Sequence, residues 1–166
     1  TIGIKLPYNT RNKLRSVKRS TIVKLIVSIA IPVAVGALSG YFTMQSIPGW
    51  YETLQFPSFR PPNAVFGPVW TILYILMGIG CYLIWIKPES PERSNALWMY
   101  SLQLFVNAAW SFVFFYFKQI HIAVIVIAIL WILILYMIGN FKKLSDVAAY
   151  LQIPYLLWVS FATVLN

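Results

Sequence analysis

Three sets of ring and amide side chains in this sequence recur at helical spacing. Trp70, Tyr74 and Met77 fall on one stripe. Gln103, Asn107 and Trp110 stand at i, i+4 and i+7 on another, and Tyr155 and Trp158 share a face with the small residue Ala162. A fourth set, Trp50, Tyr51, Phe56 and Phe59, is crowded together with Pro57, Arg60, Pro61 and Pro62 into one short stretch. Indole and phenol rings offer flat faces for stacking, and each also carries a polar atom that needs a partner when it lies deep in apolar surroundings. The amides of Gln103 and Asn107 can bond between helices or turn to a ligand, and both roles are open for Asn107. The chemistry implied is ligand contact within an aromatic cavity.

Acid–base, nucleophilic and metal chemistry find no support. The four acids, Glu52, Glu89, Glu92 and Asp146, are all expected in loops. Cys81 is the single cysteine, so it cannot form an internal disulfide and reads as a small core residue. His121, the single histidine, sits beside Lys118 at a short turn and reads as solvated. No metal and no cofactor is expected.

The elements that must hold these rings follow from hydropathy. A mean hydropathy of +0.74, with 10% charged residues, is far from that of a soluble domain. Charge-free runs extend from Leu25 to Tyr51, Pro61 to Ile86, Ser94 to Phe117, Ile122 to Phe141 and Val147 to Asn166. Each reaches the ~20 residues that a helix needs to cross the hydrocarbon core. Lipid cannot satisfy free backbone groups, so each run should be helical. The fold class expected is an all-α integral membrane protein: a five-transmembrane-helix bundle with an aromatic, Pro-rich lid loop between helices 1 and 2. Residues 1–24 form a basic leader and 25–166 the transmembrane domain, with spans near 25–45, 65–86, 95–117, 121–141 and 147–166. The first apolar run is longer than the ~7–15 residues of a signal-peptide core, so it is expected to be retained.

Basic residues set the orientation. Lys5, Arg11, Lys13, Arg15, Lys18, Arg19 and Lys24 precede the first span, Lys87 and Arg93 follow the second, and Lys142 and Lys143 follow the fourth. Arg60 and Lys118 alone fall on the opposite side. The positive-inside rule places the N-terminus in the cytoplasm and the C-terminus outside, with the Trp50–Arg60 lid on the outer face. The net charge of +9 is then a topology signal, and the leader meets anionic lipid. Nucleic-acid binding is not expected, because no motif orders a basic surface.

Within the spans, Pro32 should kink the first, and Gly36 to Gly40 has the G-x-x-x-G spacing that lets backbones approach. That spacing could seat a neighbouring helix of the bundle or a second copy. Pro48-Gly49 opens the lid as a turn, and Pro57, Pro61 and Pro62 stiffen it, so closing it on a ligand loses less entropy. Loops between spans are usually polar. The lid rings should therefore be buried at the mouth of the bundle, over an aromatic cavity. Phe66 and Leu73 read as core or lipid contacts, and the fourth span as a lipid-facing packing helix. Pro154 frees the carbonyl of Tyr150, which could bend the fifth span outward.

These residues, in this order, resemble the tryptophan-rich sensory protein and translocator protein family, whose eukaryotic members are also called peripheral benzodiazepine receptors. The resemblance runs from about Val33 to Asn166. It is carried by Trp50-Tyr51 with Leu54, Pro57 and Pro61-Pro62, then by Phe66-Gly67-Pro68-Val69-Trp70-Thr71 and Leu73-Tyr74 to Met77-Gly78. Further on come Gln103-Leu104, Asn107, Trp110 and Phe114-Phe115, then Pro154 to Trp158, Phe161-Ala162-Thr163 and Leu165-Asn166. The resemblance implies a five-helix membrane protein, often dimeric, that binds porphyrins, sterols and benzodiazepine-type or isoquinoline ligands beneath the first loop. Tyr51 would contact the ligand from the lid, Trp70 and Trp158 would stack on it, and Asn107 would add a polar contact. Trp110 and the Tyr155–Leu157 segment would line the wall.

The function so implied is a receptor or sensor for protoporphyrin-like tetrapyrroles, in a bacterial cytoplasmic membrane or a eukaryotic organelle membrane. Some bacterial members of the family are described as promoting light- and oxygen-dependent porphyrin breakdown, with residues at the Trp70 and Trp158 positions implicated. Porphyrin or sterol transport is a third reading, although the spans show no internal repeat and no charge for ion coupling. Two departures from the family pattern bear on partners. Many relatives continue past the Leu-Asn pair into a sterol-recognition pattern, whereas this sequence ends at Asn166. Trp98 and Leu102 occupy the small-residue positions of the third span, which leaves the first-span glycines as the alternative homodimer face.

Overall fold

The computed structural model describes the backbone of residues 8–54 and 57–165, and the side chains of these from Arg19 onward, Glu52 excepted. Lys5, Phe56 and Asn166 lie outside the described residues. All regular structure among the described residues is helical: α1 (Tyr8–Ser46), α2 (Asn63–Trp85), α3 (Pro91–Ser111), α4 (Ile120–Lys142), α5 (Asp146–Tyr150) and α6 (Ile153–Leu165). Five stretches are long and apolar enough to span a membrane, with α5 and α6 together making the fifth. The chain is an integral membrane protein.

The boundaries shift from those expected in several places. The first helix begins at Tyr8, so part of the basic leader continues the first span without a break. Glu92 and Asp146 stand in the first turns of α3 and α5, where an acid offsets the partial positive charge of a helix N-terminus. Ser90 and Ser145 cap those helices by accepting from the backbone N–H of Arg93 at 3.1 Å and of Ala148 at 3.3 Å. The fifth span breaks at Leu151–Gln152. Pro154, in the first turn of α6, lacks the N–H that would have continued α5.

Packing explains which faces meet. On α2, a Cβ at Gly78 would lie 2.6 Å from the Cα of Ile29, so only glycine lets α1 and α2 approach there. On α1, a Cβ at Gly36 would run into the ring of Tyr74, so this glycine of the G-x-x-x-G pair seats a neighbouring helix of the same bundle. The fourth span is more than a lipid-facing helix. Ala123, Ile127, Leu130, Ile134, Met137 and Phe141 form a buried stripe at helical spacing, while Ile125, Ile132 and Tyr136 face outward. The indole of Trp131 on α4 donates to Ser160 Oγ on α6 at 2.8 Å.

Candidate functional site: an aromatic cavity under the first loop

The half of the bundle nearest the first loop holds a cavity of about 620 Å³, well within the range of small-molecule sites. Its walls come from four helical elements and the lid. Trp70 and Tyr74 of α2 stack with ring centroids 5.5 Å apart, and Trp158 of α6 meets Phe66 of α2 edge-on at 5.7 Å. Trp110 of α3 stacks on Phe114 at 5.6 Å. Tyr51 closes the top, and α1 contributes Gly36, Ser39, Gly40, Tyr41 and Met44.

A local departure from α geometry helps to build this wall. Residues Phe112–Tyr116, at the end of α3, wind as a π-helical turn, a form that recurs at functional sites. Phe114 and Phe115 are consecutive, yet both are buried and both line the cavity. Tyr51 sits edge-on to Phe114 at 6.2 Å and tilted on Phe115 at 5.5 Å, while Trp50 meets Phe114 at 5.6 Å. The Ser46 hydroxyl ties the end of α1 to the same turn by donating to the Phe115 carbonyl at 2.8 Å.

Cations meet the lid rings from outside. Arg60 stands over the Tyr51 ring at 4.7 Å and also bonds Asn63 Oδ1, and Lys118 stands over Trp50 at 5.9 Å. Burial raises the pKa of the Tyr51 phenol above its ordinary value, and Arg60 partly opposes that rise.

Behind the cavity lies a buried polar chain. The Tyr74 hydroxyl donates to Asn107 Oδ1 at 2.6 Å, and Asn107 Nδ2 donates to the Tyr155 oxygen at 3.0 Å. The Tyr155 hydroxyl in turn donates to Gln103 Oε1 at 2.9 Å. One network thus joins α2, α3 and α6 and uses every polar atom of Asn107. The Tyr155 ring also meets Trp70 edge-on at 6.2 Å, so the network braces a cavity indole from behind.

The residues singled out in the sequence therefore separate into groups. Tyr51, Trp70, Trp110 and Trp158 do line the cavity. Asn107, 1% exposed, and Tyr155 do not; they sit one layer back, where their polar groups serve each other. Leu157 is 64% exposed and turns away from the cavity toward the outer surface of the bundle. In the lid, Trp50 packs against Phe114, and Pro57, Arg60, Pro61 and Pro62 line a shallow adjoining recess that meets the cavity at Asn63. Phe59, expected to be buried, is 58% exposed. Phe66, read as core or lipid contact, is a wall residue instead. The α1 wall has no signature in the sequence, because a run of small and aliphatic residues carries no signal for which side meets a void.

Two buried donors, the indole N–H groups of Trp110 and Trp158, have no hydrogen-bond partner among the described residues. Both rings belong to the cavity wall.

Helices of membrane length around an aromatic, loop-capped cavity define an integral membrane protein with a cavity of small-molecule size. Residues 28–166 match the model of the TspO/MBR family. The tryptophan-rich protein TspO of Chlorobaculum tepidum is 36% identical over 149 residues, 87% of this chain and 92% of that one. The translocator protein of Homo sapiens is 37% identical over 119 residues, 70% of each chain. The tryptophan-rich sensory protein of Cereibacter sphaeroides is 34% identical over 117 residues, 70% of this chain and 72% of that one. The chain belongs to the TspO/MBR family.

Proposed function

We propose that this protein is a membrane receptor or sensor that binds a flat, amphipathic tetrapyrrole of the protoporphyrin type between the indoles of Trp70 and Trp158, under Tyr51. One observation carries this reading: these three rings share a single apolar cavity with Trp110. Each ring pair contributes about 0.5–1.5 kcal/mol beyond area burial, so several rings together support useful affinity for a planar ligand. A tetrapyrrole of this type also bears carboxylates, and Arg60 and Lys118 are the cations beside the lid. The words "sensory" and "translocator" in the relatives' names agree with a ligand-responsive role.

The same reading sets the protein in a bacterial cytoplasmic membrane, with the basic leader 1–24 in the cytoplasm and the lid outside, following the distribution of Lys and Arg. A homodimer is compatible with it. The test is a titration of purified full-length protein with protoporphyrin IX, a sterol and an isoquinoline ligand, followed by tryptophan fluorescence. Saturable quenching by protoporphyrin IX is expected; quenching that only rises linearly with concentration would reject the proposal.

A further inference from the structure

We propose that the cleft between the outer halves of α1 and α2 is a lateral portal, through which the cavity exchanges its ligand with the bilayer rather than with water. The proposal rests on the reading of the cavity as a ligand site and adds the route to it.

The glycines outline the cleft. α1 and α2 touch backbone to backbone at Gly78, and the Tyr74 ring abuts Gly36. Beyond these contacts, toward the lid, the helices part. A Cβ built at Gly40 on α1 or at Gly67 on α2 meets nothing within 4 Å, yet both residues line the cavity. Glycine is doing different work at the two ends: at Gly36 and Gly78 it admits a neighbour, and at Gly40 and Gly67 it leaves a gap.

The gap faces outward. Ala37, Tyr41 and Met44 of α1, together with Ala64 and Thr71 of α2, line the cavity and are also exposed on the surface, Tyr41 by 60% and Met44 by 71%. Ala37 lies nine residues before the end of α1 and Thr71 eight residues after the start of α2. At 1.5 Å per residue these positions are roughly 12–14 Å below the helix ends. The half-thickness of the hydrocarbon core is about 15 Å, so the opening reaches lipid depth. Its rim is apolar, with Leu38, Ile72 and Ile75 exposed.

On the water side the cavity is covered over Tyr51, and the shallow recess of Pro57, Arg60, Pro61 and Pro62 adjoins it at Asn63. Tyr51 is buried against Phe114 and Phe115 and covered by Arg60, and Trp50 packs on Phe114 as well. Entry from water past Tyr51 would have to break those ring contacts. Entry from lipid need only move Tyr41 and Met44, whose side chains already stand free of the core. A flat apolar ligand also concentrates in the bilayer through the hydrophobic effect, so the lateral route is where the ligand is.

The test uses the full chain in phosphatidylcholine nanodiscs with protoporphyrin IX as the probe. Leu38→Trp combined with Ile75→Trp enlarges two exposed rim residues that do not line the cavity, leaving Tyr51, Trp70, Trp110 and Trp158 in place. A narrowed portal slows association and dissociation together by about tenfold or more, with Kd within about twofold, because a barrier common to both directions cancels in the equilibrium. Unchanged rates would overturn the proposal. So would a weaker Kd reached through faster dissociation, since the rings would then be filling the site rather than its entrance.

A second measurement needs no porphyrin. In a Cys81→Ala background, a nitroxide attached at Gly40→Cys or Gly67→Cys should collide more with lipid-dissolved oxygen than with a water-soluble nickel chelate. The opposite ranking would sink the portal even if porphyrin binds. Failure of protoporphyrin IX to bind the unmodified protein would instead reject the proposed function and leave the nitroxide result to decide the cleft.

Discussion

The hydroxyl of Tyr74 donates to Asn107 Oδ1 at 2.6 Å, from a ring that stacks on Trp70. One tyrosine thus belongs to the cavity wall and to the buried polar network at once. Tyr74→Phe keeps the ring but leaves Asn107 Oδ1 without its donor. The expected cost is about 1–3 kcal/mol of stability, the penalty for an unsatisfied buried acceptor. Affinity for protoporphyrin IX should change less than about threefold, because the stacking face remains. Thermal unfolding in detergent, paired with a fluorescence titration, checks both; a large loss of affinity at unchanged stability would mean that the hydroxyl meets the ligand directly.

Trp70→Ala combined with Trp158→Ala should abolish protoporphyrin quenching of the remaining tryptophans. The two rings together supply on the order of 1–3 kcal/mol of stacking beyond their area, roughly 5- to 150-fold in Kd. Leu157→Ala, at an exposed position outside the cavity, should leave binding unaltered. Quenching that survives the double change would place the ligand elsewhere.

Arg60→Gln should weaken binding of the dicarboxylate by up to about 1 kcal/mol, since the guanidinium is only partly buried and solvent screens it. The dimethyl ester should bind both proteins alike. The same substitution removes the cation that favours the Tyr51 phenolate, so the Tyr51 pKa should move further above its ordinary value of 10.0. Because the folded value is raised, the preference of the fold for neutral phenol is intact through neutral pH. Ionisation penalises the lid only as pH rises above about 10. Carbon-13-labelled tyrosine followed by NMR against pH reads the shift; a fall in pKa on losing Arg60 would contradict the contact.

Opposite signs are expected at the two glycines of the first span. Gly36→Ala drives a methyl into the Tyr74 ring and should destabilise by about 1–3 kcal/mol through overpacking. Gly40→Ala meets open space and gains helix propensity, so stability should rise by up to about 1 kcal/mol. Unfolding midpoints in one detergent compare them directly. Equal losses at both would show that the outer halves of α1 and α2 lie closer than the cleft requires.

Much of the architecture could be read directly. Hydrocarbon thickness and the need to satisfy backbone groups leave an apolar run of about 20 residues few options other than a spanning helix. Spacing also gave the facing stripes, because 3.6-residue periodicity is a local property. It could not give depth. Asn107 and Trp110 share a face of α3, yet the indole reaches the cavity while the amide stops one layer behind it, its atoms taken by Tyr74 and Tyr155 from two other helices. Leu157 sits next to Trp158 in the chain and turns out to lipid.

The sequence by itself therefore determined that this chain crosses a membrane five times and brings rings and prolines together near one surface. Length, hydropathy and the distribution of Lys and Arg act residue by residue. Only the tertiary structure decided that Gly36 is filled by a neighbour's ring while Gly40, one turn on, faces a gap. It also decided that Phe114 and Phe115 both face inward and that the cavity borrows a wall from α1. Those outcomes depend on how far apart helices distant in sequence come to rest. That separation is set by the contacts of many side chains at once, and no local pattern encodes it.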